Sequence, residues 1–217
     1  MHISVLRALA CAFLIATVSA PVRGLAASLA GQYDGGQMEV GAALWLKPDG
    51  HFRYELSYGA LDEQASGRWT ASGDKVLLTS DPVKAPRISI VSQKQGTPGA
   101  LRITMDVKDP YDQQYFSAII TTASGALDNE QLGIDGLNWP FPSTGAPTAV
   151  RLINDVYQIA SEPVKLDAGA VLIFHFEAND LGKAEFRGTP LQVEGGVLVL
   201  KRFGLTLKFR RKDLRHL

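Results

Sequence analysis

Two pairs of side chains in this sequence have a spacing that could support chemistry, and the first is Ser72 with Lys75. They match the Ser-x-x-Lys pattern of a nucleophile and its base, a pairing that works at the start of a helix. Gly73 and Asp74 lie between them, and this composition is typical of a tight turn. We therefore interpret the four residues as a hairpin turn and predict no catalytic serine.

The second pair is His175 and Glu177, which project from one face if their segment is a strand. That spacing can hold a metal ion, but a stable site needs three or four ligands. The remaining histidines of the mature chain, His51 and His216, are not obvious partners. The sequence therefore predicts no metal site, and we interpret the pair as solvated.

Acidic residues cluster in predicted loops between positions 106 and 135. Calcium takes six to eight oxygen ligands, and loop carboxylates often supply them. The sequence has no Asp-x-Asp-x-Asp-Gly pattern, and acidic loop residues usually form caps and turns. We predict no cofactor, while calcium stays the alternative for these residues. They are Asp106, Asp109, Asp112, Asp128, Glu130 and Asp135.

Two aromatic residues lie in the proline-rich segment Trp139-Pro140-Phe141-Pro142. Exposed, they would form a stacking platform for a sugar or a peptide. Buried, they would anchor an irregular segment to the core. Large aromatic area is costly to leave in water, so we predict anchoring.

The C-terminal strand is basic on one face. Leu205, Leu207 and Phe209 alternate with polar residues, which predicts one core face and one charged face. Such charges on an edge strand prevent sheet-to-sheet aggregation, and this is the interpretation we favour. The alternative is docking to an anionic envelope surface. The cations of this region are Lys201, Arg202, Lys208, Arg210, Arg211, Lys212 and Arg215.

One hypothesis for the function is a hydrolase whose two catalytic carboxylates are far apart in sequence. Glu39 and Glu55, for example, could face each other across the first predicted hairpin. The sequence has no Gly-x-Ser-x-Gly motif. We therefore predict that the protein is not an enzyme, and we assign no catalytic residue.

The first 27 residues have the layout of a secretory signal peptide. Arg7 is the only fixed charge at the start, and the apolar segment 8–20 is too short to span a bilayer. Pro21 disfavours a cut just before it, so we predict cleavage near Ala27. We therefore expect an exported chain, periplasmic or secreted, whose mature part has no transmembrane segment.

Cleavage changes the chemistry of the chain. It removes Cys11, the only cysteine, so the mature chain has no disulfide and no thiolate nucleophile. It also removes two arginines and no acid, which leaves 20 basic against 22 acidic residues and a charge of −2. That balance does not predict nucleic-acid binding.

Alternation of apolar and polar residues dominates the chain after residue 37. The alternating runs Met38–Leu46 and Phe52–Tyr58 flank the turn Pro48-Asp49-Gly50, which predicts a β-hairpin. With three further strands, residues 28–95 are predicted to form an antiparallel meander that can curl into a small barrel. The further strands are Gly67–Thr70, Val76–Thr79 and Ile88–Val91.

The same segment resembles a known family over about 50 residues. It is similar to the lipocalin-like N-terminal barrel of NlpE-type bacterial envelope lipoproteins, and the resemblance implies a barrel fold. The Cys-x-x-Cys motif and lipidated cysteine of that family are absent, so copper handling and surface sensing are not implied. The matching residues are Gly31-Gln32-Tyr33, Leu44-Trp45-Leu46-Lys47-Pro48-Asp49-Gly50-His51-Phe52-Arg53-Tyr54, Gly67-Arg68-Trp69 and Val76-Leu77-Leu78.

The composition changes at residues 93–99, which we take as a domain boundary. Residues 99–217 are predicted to form a β-sandwich domain with a long irregular loop at 123–147. The segment Ala149–Ile159 is predicted as strand, turn and strand. Other predicted strands are 101–107, 115–122, 164–166, 170–177, 183–186, 197–202 and 205–210.

These observations predict an exported, all-β envelope protein with a small barrel followed by a β-sandwich. We expect a non-catalytic binding or accessory module, whose barrel offers an apolar interior or mouth to a ligand. The sandwich would contact another envelope protein. The sequence does not identify the ligand-binding residues.

Overall fold

A computed structural model describes residues 28–141, 145–166 and 169–212. The predicted signal peptide lies outside these residues. The prediction of an all-β protein is confirmed, since strands and one short 3-10 turn (Pro110–Tyr115) make up its regular structure. In the part of the chain described, no helix has the length and apolar character needed to span a membrane.

The strands are numbered β1 to β17 in chain order. Their bounds are Gly31–Asp34, Val40–Leu46, His51–Tyr58, Leu61–Ser72, Lys75–Ser80, Arg87–Gln95, Ala100–Asp106, Ser117–Thr122, Leu127–Gln131, Leu137–Pro140, Pro147–Asn154, Ile159–Ala160, Val164–Lys165, Ala170–Glu177, Arg187–Glu194, Val197–Arg202 and Leu205–Arg211.

Eight strands form a closed antiparallel barrel in the order β1-β2-β3-β4-β5-β15-β16-β17. The barrel closes where Tyr33 and Asp34 of β1 pair with Arg211 and Arg210 of β17. Apart from this closure, neighbouring strands follow one another in sequence except at β5 and β15. The barrel is therefore an up-and-down meander with the rest of the chain inserted after its fifth strand.

This arrangement differs from the predicted division of the chain at residues 95–99. The strands β15, β16 and β17 belong to the barrel, although we had placed them in the second domain. Conversely, β6, which we had predicted as the fifth strand of the meander, lies in the insertion. Pairing between β5 and β15, and between β1 and β17, joins distant segments and leaves no local signature in the sequence.

Two local expectations also fail next to the barrel. The strand β15 was missed because Gly188 and Pro190 interrupt its alternation. The predicted strand 183–186 is instead an irregular segment beside β4, where the Ala184 N–H donates to the Gln64 carbonyl at 2.8 Å. This segment sends the ring of Phe186 into the barrel core.

Alternation fills the barrel interior with side chains. Residues at every second position of the strands are buried, as expected for a sheet with one core face. The largest fully buried side chains of this interior are Tyr54, Phe186, Phe209, Leu44, Leu46 and Leu78.

The insertion, residues 87–177, contains two further sheets. One has the order β10-β7-β14-β6, with β7 and β14 parallel, and the other has the order β12-β11-β8-β9, with β13 beside β11. Buried side chains of both sheets belong to one hydrophobic cluster, for example Leu172 and Phe174 with Ile120 and Leu152. We had predicted an irregular loop over residues 123–147. This segment instead contains the strands β9 and β10.

The local predictions with strong turn signals are confirmed. The hairpin of β2 and β3 turns at Gly50, whose φ of 84° suits glycine. Ser72 ends β4 and pairs with Lys75, which begins β5, so the residues between them form a hairpin turn. The segment 149–159 is strand, turn and strand, formed by β11 and β12.

Candidate ligand-binding site

A cleft of about 690 Å³ lies where the insertion meets the barrel. We call it the junction cleft. The barrel side contributes Ala60, from the turn between β3 and β4, and Ala178 and Leu181 come from the connection between β14 and β15. The insertion supplies the rest of its lining: Asp106, Val107, Lys108, Asp112, Tyr115, Phe116, Asn154, Val156, Tyr157, His175 and Phe176.

The 3-10 turn after β7 forms one wall of the junction cleft. Asp109 caps this turn by accepting the Tyr111 N–H at 3.0 Å. The buried Gln113 fixes it, because its Oε1 accepts the Met105 N–H at 2.9 Å and its Nε2 donates to the Ile134 carbonyl at 2.8 Å. Tyr111 and Tyr115 are left 65% and 66% exposed. The turn therefore holds two aromatic side chains in solvent on a fixed backbone.

The opposite part of the cleft comes from the ends of β11 and β14. The Asn154 Oδ1 accepts the Tyr157 N–H at 3.1 Å, which closes the turn after β11. Tyr157 then packs against the barrel core while it also lines the cleft. Phe176 meets the buried Phe116 edge to face, with ring centroids 5.1 Å apart. Aromatic and aliphatic groups thus make up much of the cleft surface.

The polar groups of the junction cleft carry both signs of charge. His175 and Asp106 are neighbours on the parallel strands β14 and β7, with Nδ1 and Oδ2 3.4 Å apart. The His175 Nδ1 is buried and accepts or donates no hydrogen bond within the described residues. Asp112 and Lys108 add a carboxylate and an ammonium group. The cleft therefore offers several donors and acceptors beside an apolar surface.

A second depression, the lateral groove, adjoins the first. Its volume is about 700 Å³, and it shares Tyr157 and Leu181 with the junction cleft. Small residues of β2, such as Gly41 and Ala43, lie along it. Its carboxylates are Asp34, Glu55, Asp62 and Glu63. Three of these carboxylates have a cationic partner: Asp34 has Lys212, Glu55 has Arg53 and Glu63 has Arg202.

Behind this groove, a polar cluster lies inside the barrel. The Arg202 Nε donates to the Glu63 Oε2 at 2.5 Å, and the Arg202 Nη2 donates to the Glu63 Oε1. Burial lowers the pKa of Arg202, but the bonds to Glu63 outweigh this and raise it overall. The buried Tyr54 hydroxyl beside this pair has no hydrogen-bond partner in the described chain. Burial, and then the Glu63 carboxylate, raise the pKa of Tyr54.

His175 and Glu177, the pair predicted to be solvated, have different neighbours. His175 lies at the junction cleft beside Asp106 and its side chain is 41% exposed, whereas Glu177 binds Arg87, with Nη2 and Oε1 2.5 Å apart. The His51 Nδ1 lies 3.2 Å from the Asp49 Oδ1, and His216 lies outside the described residues. In the described part of the chain, no three His, Cys, Asp or Glu side chains are grouped to hold a metal.

The acidic residues between 106 and 135 do not form one cluster. Asp106 and Asp112 line the junction cleft, and Asp109 caps the 3-10 turn. Asp128 and Glu130 lie on β9, in the other sheet of the insertion. The anchoring role predicted for Trp139 is confirmed, because this side chain is 6% exposed and belongs to the core of the insertion.

The proposed pairing of Glu39 with Glu55 is wrong. The first residue of β2 is Val40, and Glu39 precedes it with a φ of 61°. Ala43 is the residue opposite Glu55, and the Glu55 carboxylate accepts a hydrogen bond from Arg53. The two glutamates therefore do not face each other across the hairpin.

The basic C-terminal strand is not an edge strand, so the anti-aggregation interpretation is wrong there. The strand β17 lies between β16 and β1 in the closed barrel. Arg202 points inward to Glu63, and the Arg211 guanidinium binds the backbone carbonyls of Ser28, at 2.9 Å, and Ala30. Lys212 lies 3.4 Å from Asp34. Lys201, Lys208 and Arg210 are exposed, and Arg215 lies outside the described residues.

Sequence reasoning missed the residues that line the junction cleft, apart from His175, Asp106 and Asp112. One signal was present: Tyr111 and Tyr115 flank the polar residues Asp112, Gln113 and Gln114, so no apolar alternation places either ring in the core. The inward direction of Glu63 was also readable, because it alternates with Leu61 and Ala65. The turns that bring Ala60, Tyr157 and Leu181 together carry no such signal.

Comparison of the chain with protein-family models, with curated proteins and with solved structures found no match. The resemblance of the N-terminal segment to envelope lipoproteins therefore stays a prediction.

Proposed function

We propose that this chain is an exported, non-catalytic binding protein of the bacterial envelope that holds a small molecule in the junction cleft. The barrel acts as the frame, and the insertion supplies most of the binding surface. The observation that carries this proposal is the cleft itself, in which apolar and aromatic groups surround a few convergent polar groups. Pockets of several hundred Å³ with this composition are typical of small-molecule sites.

The cleft suits a ligand better than the barrel interior does. Bulky side chains, including Tyr54, Phe186 and Phe209, are fully buried in that interior. Placing a ligand among them would require displacing packed aromatic rings, which costs several kcal/mol on the order of a large core substitution. At the junction cleft the same kind of apolar surface is already open, so no such cost arises.

The insertion is proposed to be a β-sandwich. Its two sheets contribute to one hydrophobic cluster, with Ile103 and Leu172 from one sheet and Ile120 and Leu152 from the other. Face-to-face packing of two sheets is the usual way to bury such a cluster. This packing would hold the ends of β7, β11 and β14 in fixed positions around the cleft.

We assign His175 and Asp106 to ligand hydrogen bonding and not to catalysis. A His–carboxylate pair catalyses acyl transfer when it activates a nearby nucleophile. Among the cleft-lining residues that the structure describes, none is a serine, threonine or cysteine. The pair can still donate to and accept from a bound molecule.

Binding of the neutral dye N-phenyl-1-naphthylamine tests this proposal. We expect its fluorescence to rise with the wild-type protein and to fall by about tenfold with Ala60→Trp, because an indole at this lining position narrows the cleft. The matched control is Ala126→Trp, at an exposed position in the turn before β9. If the dye does not bind, or if both variants bind it as the wild type does, the proposal is wrong.

Export predicts a particular N-terminus. Leu29 and Ala30 are buried in the barrel core, and the Tyr33 hydroxyl donates to the Leu29 carbonyl at 2.6 Å. Arg211 binds the carbonyl of Ser28. The folded barrel therefore uses residues from 28 onward, and the intact mass of the exported protein should correspond to a chain that begins at Ser28. A mass that corresponds to the full chain would contradict export.

A further inference from the structure

We infer that the ligand of the junction cleft is a carbohydrate chain, with Tyr115 and Tyr111 as successive stacking platforms. This inference rests on the proposed function, because it names the chemical class of molecule that the cleft binds. It depends on three features of the described residues: the exposed tyrosines, the mixed polar groups and the position of Tyr111 outside the cleft.

The two tyrosines are held in solvent by a rigid element. Their 3-10 turn is fixed at one end by the Asp109 cap and in its middle by the two hydrogen bonds of Gln113. Both rings are about two-thirds exposed, although large aromatic area is costly to leave in water. A turn that is built in this way presents the rings instead of burying them. The C–H face of a pyranose ring packs on such an exposed aromatic ring.

The polar groups of the cleft fit hydroxyl groups better than they fit a single charge. Asp106 and Asp112 are acceptors, Lys108 is a donor, and Asn154 and His175 can each do both. A sugar hydroxyl is at once donor and acceptor, so a neutral polyol can satisfy this mixed set. An organic cation would gain from Asp106 and Asp112 but would be repelled by Lys108.

Asp106 is the member of the His175–Asp106 pair that a ligand can reach. Its side chain is 70% exposed, whereas the His175 Nδ1 is buried 3.4 Å from the Asp106 Oδ2. A ligand hydroxyl can therefore donate to the Asp106 carboxylate, which a purely apolar ligand cannot do.

The position of Tyr111 favours a chain over a single sugar. Tyr115 lines the junction cleft, whereas Tyr111 lies earlier on the same turn and is not part of the lining. Tyr111 and Tyr115 are four residues apart on a 3-10 helix, so their side chains point about 120° apart, and only a ligand long enough to follow the turn out of the cleft can reach both rings. We expect an oligosaccharide to bind more tightly than the corresponding monosaccharide for this reason.

A glycan microarray, followed by titration calorimetry with the strongest oligosaccharide and with its monosaccharide, tests the inference on the mature chain. We expect at least one linear glycan to bind and to displace N-phenyl-1-naphthylamine. Tyr115→Ala should weaken binding by about tenfold or more, while Tyr115→Phe, which keeps the ring, should stay within about threefold. Tyr111→Ala should weaken binding of the oligosaccharide and not of the monosaccharide. Both tyrosines are exposed, so thermal unfolding should not change.

The outcomes separate this inference from the proposed function. If the dye binds in the cleft and no glycan on the array binds, the carbohydrate inference is wrong and the binding function stands. If a glycan binds equally well to Tyr115→Ala, the stacking role is wrong. If neither the dye nor any glycan binds, the proposed function itself fails. Preferential binding of an organic cation such as choline, with loss in Asp112→Asn, would also overturn the inference.

Discussion

Arg202 and Glu63 form a bidentate ion pair inside the barrel, although 139 positions separate them in sequence. Glu63 lies on β4 and Arg202 on β16, so the pair links strands that precede and follow the insertion. The guanidinium group also lies over the rings of Phe186 and Phe203, at 5.2 and 4.7 Å from their centroids. At the end of the barrel where the chain enters the insertion, β4 and β16 are therefore joined by a polar contact inside an apolar core.

Breaking this pair on one side should destabilise the barrel. Glu63→Gln leaves the Arg202 guanidinium without a counter-charge, and Arg202→Met does the same to the Glu63 carboxylate. Because the site is largely buried, either change should lower the free energy of unfolding by about 3 kcal/mol. The double variant Glu63→Leu with Arg202→Met removes both charges, and its free energy of unfolding should lie within about 1 kcal/mol of the wild-type value. Equilibrium unfolding in urea measures these differences.

The control is Arg53→Gln, which breaks an exposed pair with Glu55 and should lower the free energy of unfolding by less than about 1 kcal/mol. Equal small effects for all variants would contradict the role of the buried pair.

Asp180 should make stability depend on acid. Its carboxylate binds Lys183, with Oδ1 and Nζ 2.7 Å apart, and accepts the Lys84 N–H at 2.8 Å, so it joins the two connections between barrel and insertion. The Lys183 hydrogen bond, and then that of the Lys84 backbone, lower the pKa of Asp180. Because the folded pKa lies below the unfolded value of about 3.9, this contribution is present above about pH 4 and is lost as the pH falls through the folded pKa.

We expect Asp180→Asn to be less stable than the wild type at neutral pH and to approach it as the solution is acidified. Unfolding free energies of the two proteins, compared from about pH 7 to about pH 2, provide the measurement. Other carboxylates titrate in both proteins and cancel in the difference. A difference that does not change with pH would show that the Asp180 charge is not involved.

Gly67 should not accept a side chain. Its φ is 157°, and a Cβ at this position would lie 2.2 Å from the Thr79 carbonyl oxygen and 2.6 Å from the Ser80 Cα. We expect Gly67→Ala to cost about 3 kcal/mol or more in unfolding free energy, or to prevent folding. Gly73→Ala is the matched control, since its φ is 58° but no atom lies within 4 Å of the added Cβ, and it should cost about 1 kcal/mol. Equal costs would contradict the close approach of β4 and β5 at Gly67.

The barrel should fold without the insertion. Arg87 and Glu177 are directly paired at the root of the insertion, so a short Gly-Ser linker can replace residues 88–176. The shortened chain should unfold cooperatively and keep the buried Trp69, whose Nε1 donates to the Lys47 carbonyl at 2.9 Å. It should be less stable than the full chain, because Val156 and Tyr157 pack against the barrel core. It should also lose binding of N-phenyl-1-naphthylamine. Tryptophan emission during urea unfolding measures the first result, and a non-cooperative transition would contradict it.

The sequence predicted the parts of the fold that depend on local pattern. The hairpin of β2 and β3 combines alternation with a glycine-containing turn, so it was recognised, and the predicted strands 197–202 and 205–210 are present as β16 and β17. The closure of the barrel was not, because it depends on pairs such as Leu191 with Val76 that no local pattern encodes. An insertion between two neighbouring strands separates them in sequence without changing the alternation within either one.

The candidate site was less predictable than the fold. Leu198, Leu200 and Arg202 share one face of β16, so the alternation already placed this arginine inside, yet its charge suggested a solvent-exposed stripe. The junction cleft depends on the relative positions of several strand ends. Ala60 and Tyr157 have no chemical signature in sequence, and only the fold brings them to one cleft.

The most direct test of the account is native mass spectrometry of the protein purified from its own exported compartment, with Ala60→Trp purified in parallel. We predict a wild-type mass above that of the chain that begins at Ser28, and loss of this added mass in Ala60→Trp, whose side chain narrows the junction cleft. The same bound mass in both proteins would show that the ligand does not occupy the junction cleft. A bare chain in both would contradict the binding function.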